Sequence, residues 1–217
     1  MSTADLLPTR LPLTAGPAAD DDRYHALRAE IEALSALLGP GVDWGRVEAL
    51  AAALLRERAP DLLVLAYYVA AHHRRRGLTG LHAALGLLHA ALDQRWDDLT
   101  PPPARPRIRA AAIAWLIDQI TAAAPRSPAP HDQPLLADLL PRLRALADLT
   151  RARLHHHTPA FGPLLRAFDD LHTRAGPPPD SPDPTALIQT RETTHPRATT
   201  PPEAIAPLAA VRDPALP

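Results

Sequence analysis

Apolar residues recur every three or four positions at Tyr24, Leu27, Ile31, Leu34 and Leu38. This spacing predicts a first helix over residues 21–38, with one buried stripe and acids at its positive end. Gly39-Pro40 stops it. Asp43 reads as the N-cap of a second helix to about Arg58, whose inner stripe holds Trp44, Val47, Leu50 or Ala51, and Leu54 or Leu55. A third helix, Asp61 to Arg76, is apolar almost all round through LLVLAYYVAA, including Tyr67, and belongs at the centre of a bundle. It closes on Arg74-Arg75-Arg76 and Gly77, cations on the negative end of the dipole followed by a glycine cap. Thr79 is the expected cap of a fourth helix to about Trp96, with Leu81, Leu85, Leu88 and Leu92 facing inward. After WDDLTPPP a fifth helix opens near Pro106 and buries Ile113, Leu116, Ile117 and Ile120, with Trp115 at its edge.

Beyond this bundle, 21–124, the pattern changes. Residues 125–134 (PRSPAPHDQP) read as a linker, and 135–175 as a helical hairpin packed on the bundle or on a partner. Its first helix is expected to break or kink at Pro141. Residues 1–20 read as an extended leader whose Leu6, Leu7, Leu11 and Leu13 suit a groove of the domain behind them. Residues 176–217 carry eleven of the 27 prolines and read as a disordered tail.

Composition sharpens the fold class. The chain holds 43 alanines and 36 leucines against 12 valines and isoleucines together. Strong helix formers at this excess point to an all-α protein of about five bundle helices plus the hairpin. Trp44, Trp96 and Trp115 stand at helix ends or edges, where an indole fills a seam between helices, and with Tyr67 and Leu85 they are read as structural core.

Charge narrows the partner classes. The formal net charge is −1, and all 23 basic residues are arginine. No overall field therefore draws the chain to nucleic acid or an anionic membrane. The longest stretch without Asp, Glu or Arg, residues 77–92, is shorter than the roughly 20 residues of a membrane span. The first residues have no secretory signal pattern, so a cytoplasmic location is expected. Arg74, Arg75 and Arg76 form one basic cluster and Arg105, Arg107 and Arg109 another. Both are candidate partner-binding residues, or the contacts of an adaptor for an anionic ligand.

The chemical inventory is thin. There is no cysteine, hence no thiolate metal site and no cysteine nucleophile. No nucleophile elbow, phosphate loop, dinucleotide fingerprint or helical zinc motif occurs. His72, His73, His82 and His89 lie on neighbouring helices and define an alternative, a metal-binding protein or metal-dependent enzyme. His155-His156-His157 reads as a solvated helix end, since adjacent helical side chains diverge. Asp97-Asp98 and Asp169-Asp170 are neighbours, not carboxylates opposed across a substrate. The expectation is a protein without catalytic residues, metal or cofactor.

Four segments taken in order, DDRYHALRAEIEAL, GVDWGRVEALAAALLRERAPDLLVLAYYVAA, GLTGLHAALGLLHAALDQRWDDLTPP and RPRIRAAAIAWLIDQI, resemble the ImpA N-terminal domain of the TssA family of bacterial type VI secretion. The matching features are Asp43-Trp44, Arg56 and Arg58, the apolar run Leu62–Ala71, Gly77-Leu78 with Gly80-Leu81, Trp96-Asp97, Pro101, and Arg105–Arg109 with Trp115-Leu116. The resemblance covers about residues 5–121 and departs at Pro60, where the family has a polar residue. It implies a non-enzymatic cytoplasmic component that docks on baseplate, tube or sheath proteins. In longer members a C-terminal domain builds the ring of the assembly. Here a proline-rich tail stands in that place, so the expectation is a docking module that can self-associate but does not build the family's ring.

Overall fold

Three aspartates decide where the first three helices begin. The Asp21 carboxylate accepts from the Arg23 backbone N–H at 2.9 Å, Asp43 from Gly45 and Arg46 at 2.9 and 3.0 Å, and Asp61 from Leu63 and Val64 at 2.8 and 3.0 Å. Each bond satisfies a donor that the first turn leaves unpaired. Proline takes over this task at the start of the last three helices, where its missing N–H costs nothing.

The computed structural model describes residues 16–35 and 41–176. Its helices are α1 (Asp22–Glu32), α2 (Trp44–Glu57), α3 (Leu62–Gln94), α4 (Pro106–Ala123), α5 (Gln133–Leu154) and α6 (Gly162–Ala175). The protein is all-α. Among the described residues the only extended pairing is one bridge between Asp61 and Thr100. The leader up to Ala15, the end of the expected first helix at Leu38, and the tail from Pro177 lie outside the described residues. Within them, α1 stops at Glu32 and tightens into a 3₁₀ turn, Ala33–Ser35.

The two apolar runs expected as separate helices are two helices joined at a kink within α3, and they divide at Gly77 as expected. Thr79 is not a cap. The helical path is interrupted at Gly77 alone, whose φ of 60° and ψ of −145° suit a residue without Cβ. The arms on either side, 62–76 and 78–94, meet at a sharp corner. A Cβ at Gly80 would fall 2.1 Å from the His72 carbonyl oxygen, although eight residues of continuous helix would separate them by about 12 Å. Glycine at 77 permits the turn, and glycine at 80 permits the contact.

α3 is the hub, flanked by α2, α4 and α5. In its first arm every residue from Val64 to His73 is buried, as an all-apolar helix requires. Tyr67, Leu85 and Trp96 are buried, and Trp44 and Trp115 are half-buried against the core. Each fully buried leucine contributes about 1.5–3 kcal/mol.

α5 and α6 share this core. Leu139, Leu143, Leu164 and Phe168 are fully buried in the same cluster as Leu65 and Leu116. The stretch 125–134 therefore does not separate two cores. It contains a 3₁₀ turn, Pro130–Asp132, and the Arg126 carbonyl accepts from Arg174 Nη1 at 2.7 Å. α5 runs as one helix through Pro141. Pro141 and Ala137 are both exposed, so the carbonyl that proline leaves without a donor faces water.

Candidate docking surfaces

The corner at Gly77 presents Arg74, Arg75 and Arg76 at the end of the first arm. Glu48, on the facing side of α2, has a side chain only 15% exposed and gathers this cluster. Its carboxylate accepts from Arg76 Nη1 and Nη2 at 3.0 and 2.8 Å and from Arg75 Nη1, and His72 Nε2 lies 3.2 Å away. Burial pushes the Glu48 carboxyl up, but the hydrogen bonds from Arg76 and Arg75 and the nearby His72 outweigh it and hold it below the ordinary glutamate value. Arg75 and Arg76 remain 44% and 45% exposed. Arg74, also exposed, lies over the Trp44 ring at 5.4 Å and donates to Gln119 Oε1 on α4 at 3.2 Å. The result is a row of cations held by one acid, an indole and an amide.

Arg105, Arg107 and Arg109 separate. Arg105 and Arg107 are exposed. Arg109 is fully buried and is no part of a surface cluster. Its Nε and Nη2 donate to the carbonyls of Pro101 and Leu99, both at 2.6 Å, and its guanidinium stacks on Trp96. Burial lowers its pKa against the opposing pull of Asp97. The loop after α3 folds over the first turn of α4, which makes Arg109 a clamp instead of a contact.

A groove of about 490 Å³ opens where α1, α3 and α4 begin. Its wall includes Tyr24, Leu63, Ile108, Ala112 and Trp115, with Asp61 and Arg105 as its charged residues. Tyr67 supports Trp115 from behind, edge to face at 4.7 Å. Ile108 is 52% exposed, unusual for a large aliphatic side chain among the described residues. Burial raises the Asp61 carboxyl pKa, opposed by the Val64 N–H, the Thr100 hydroxyl and the Leu63 N–H. The helical periodicity of α4 did not single out this groove. The one signal was an isoleucine set between arginines, off the inner stripe. A smaller cleft of about 320 Å³ lies between the second arm of α3 and α5, around His89, Gln94 and Arg142.

The histidines do not converge. His72 leans on Tyr68 and Glu48, and burial lowers its pKa. His73 is 2% exposed, neither of its ring nitrogens has a hydrogen-bond partner, and burial, reinforced by Arg74, pushes its pKa down to about 4. Among the described residues no three His, Asp or Glu side chains meet in a way that holds a metal ion. His155–His157 form a 3₁₀ turn beside the start of α4. Asp98 and Asp169 pair with Arg95 and Arg144.

No helix among the described residues is long and apolar enough to cross a membrane. No curated protein matches the chain. A solved structure, the N-terminal domain including the conserved ImpA_N region of the TssA component of the type VI secretion system from Burkholderia cenocepacia, shares the fold. The identity is 18% and the TM-score 0.59, over 81% of this chain and 89% of that one. Residues 13–118 match the family described as ImpA, N-terminal, type VI secretion system. Over residues 13–118 this chain therefore carries an ImpA N-terminal domain of the type VI secretion kind.

Proposed function

We propose that the protein is a non-enzymatic, cytoplasmic docking module that binds baseplate, tube or sheath proteins during type VI secretion assembly. The observation that carries the reading is the arginine row at the α3 corner. Arg75 and Arg76 are oriented by Glu48 and Arg74 by Trp44 and Gln119, yet all three stay exposed. Cations held in place this way lose little side-chain freedom on meeting an acidic protein surface and set its register. Arg105 and Arg107, at the start of α4, supply a second positive region.

The test is affinity purification from cells that express the secretion apparatus. Wild-type protein is expected to recover a baseplate, tube or sheath protein, and the triple variant Arg74→Glu, Arg75→Glu, Arg76→Glu to lose it while remaining folded. Recovery of no such protein by the wild type overturns the reading. A folded triple variant with full recovery moves the contact to Arg105 and Arg107, which the pair Arg105→Glu, Arg107→Glu then checks.

A further inference from the structure

We propose that residues 6–13 of this chain, Leu-Leu-Pro-Thr-Arg-Leu-Pro-Leu, occupy the apolar groove between α1, α3 and α4. The groove has the size of a binding site, about 490 Å³, within the range of roughly 300–1,000 Å³ usual for ligand pockets. Its wall is mostly apolar and aromatic, with Asp61 and Arg105 as its charged residues, and it leaves Ile108 half exposed.

The chain itself leads into this groove. The Gly16 carbonyl accepts from the Ala59 N–H at 3.3 Å, Ala18 is buried, and Pro17 and Ala19 are part of the groove wall. The segment ahead of α1 is thus anchored at the rim. Leu13 and Leu11 precede Pro17 by four and six residues, and an extended chain covers about 3.3 Å per residue. Their reach from Pro17, itself part of the groove wall, is therefore about 13 and 20 Å.

The chemistry agrees with the geometry. Pro8 and Pro12 restrict the segment to extended backbone and remove N–H groups that a dry groove would leave unpaired. Proline-containing extended segments dock on aromatic-lined grooves for this reason. The two aromatic walls here are Tyr24 and Trp115. A tethered segment also acts at an effective concentration in the millimolar range, ahead of any second copy or free partner. This inference is independent of the arginine row.

The test is nuclear Overhauser contact in the full-length chain, with methyl labels on leucine and isoleucine. Cross-peaks are expected from at least one of Leu6, Leu7, Leu11 and Leu13 to the Ile108 methyl or the Trp115 ring. They should vanish in the variant Leu11→Ser, Leu13→Ser, with the remaining spectrum retained. Absence of any such cross-peak in the wild type overturns the proposal. So does their appearance only between differently labelled molecules, which would make a second copy the occupant. Groove signals that move only when a secretion protein is added would assign the groove to that partner and equally reject the leader.

Discussion

Arg109 lies on Trp96, its guanidinium carbon 4.1 Å from the ring centroid, while two of its nitrogens hold the carbonyls of Leu99 and Pro101. One buried cation thereby joins the loop after α3 to the first turn of α4. Arg109→Ala removes two charge-assisted bonds and opens a cavity, so it should cost about 3–5 kcal/mol. Arg109→Lys keeps the charge but neither the fork nor the stack, and should recover less than half of that. Urea denaturation midpoints decide it, and a wild-type midpoint in Arg109→Ala would contradict the clamp.

The corner of α3 makes unequal demands on its two glycines. A methyl at Gly80 meets the His72 backbone oxygen, which cannot rotate away. Gly80→Ala should therefore push the arms apart at about 3 kcal/mol or more. At Gly77 an added methyl meets no atom within 4 Å, and only the positive φ opposes it, so Gly77→Ala should cost about 1–2 kcal/mol. The reverse ranking in thermal unfolding would reject this account of the corner.

His73 makes stability depend on pH. The folded protein resists protonating it until about pH 4, whereas an unfolded histidine takes a proton near 6.5. The unfolded state thus binds more protons between these values. Stability is complete above pH 6.5 and falls as the pH drops toward 4, by up to about 3 kcal/mol. His72, also lowered, adds in the same direction. Denaturation at pH 7 and pH 4.5 should show the loss, and His73→Phe should flatten it. An unchanged slope would mean that the imidazole is not kept neutral by the core.

Asp21 binds α1 to the end of α2. Besides capping its own helix it accepts from Arg23 Nε and Nη2 at 2.9 and 2.7 Å and from Arg58 Nε at 2.8 Å. The Arg23 and Arg58 bonds hold its carboxyl well below the usual aspartate range against the opposing effect of burial. This contribution is present above the unfolded aspartate value and is lost as the pH falls below it. Asp21→Asn should cost about 1–3 kcal/mol at pH 7. A double-mutant cycle with Arg58→Met should show coupling between the two sites, and simple additivity would refute the bridge.

The sequence by itself determined most of the helices and their inward faces, because burial is written in periodicity: Leu27 and Ile31, Val47 and Leu54, and Ile113, Leu116, Ile117 and Ile120 are buried where their spacing placed them. It also determined the aspartate starts, since a cap acts on its own next turn. Contacts between distant segments were decided by tertiary structure alone. Gly77 was legible as a helix end, but the angle at which the second arm leaves it depended on packing, and Arg109 looked like its neighbours until the Leu99–Pro101 carbonyls closed over it. The candidate surfaces divide in the same way. Arg74–Arg76 stood out as a charge cluster, but their acid, Glu48, lies more than twenty residues away, and no local pattern pairs them. The groove beside Ile108 exists only because α1, α3 and α4 leave a gap at their starts, and such a gap is a property of packed volumes, which a linear pattern of polarity does not contain.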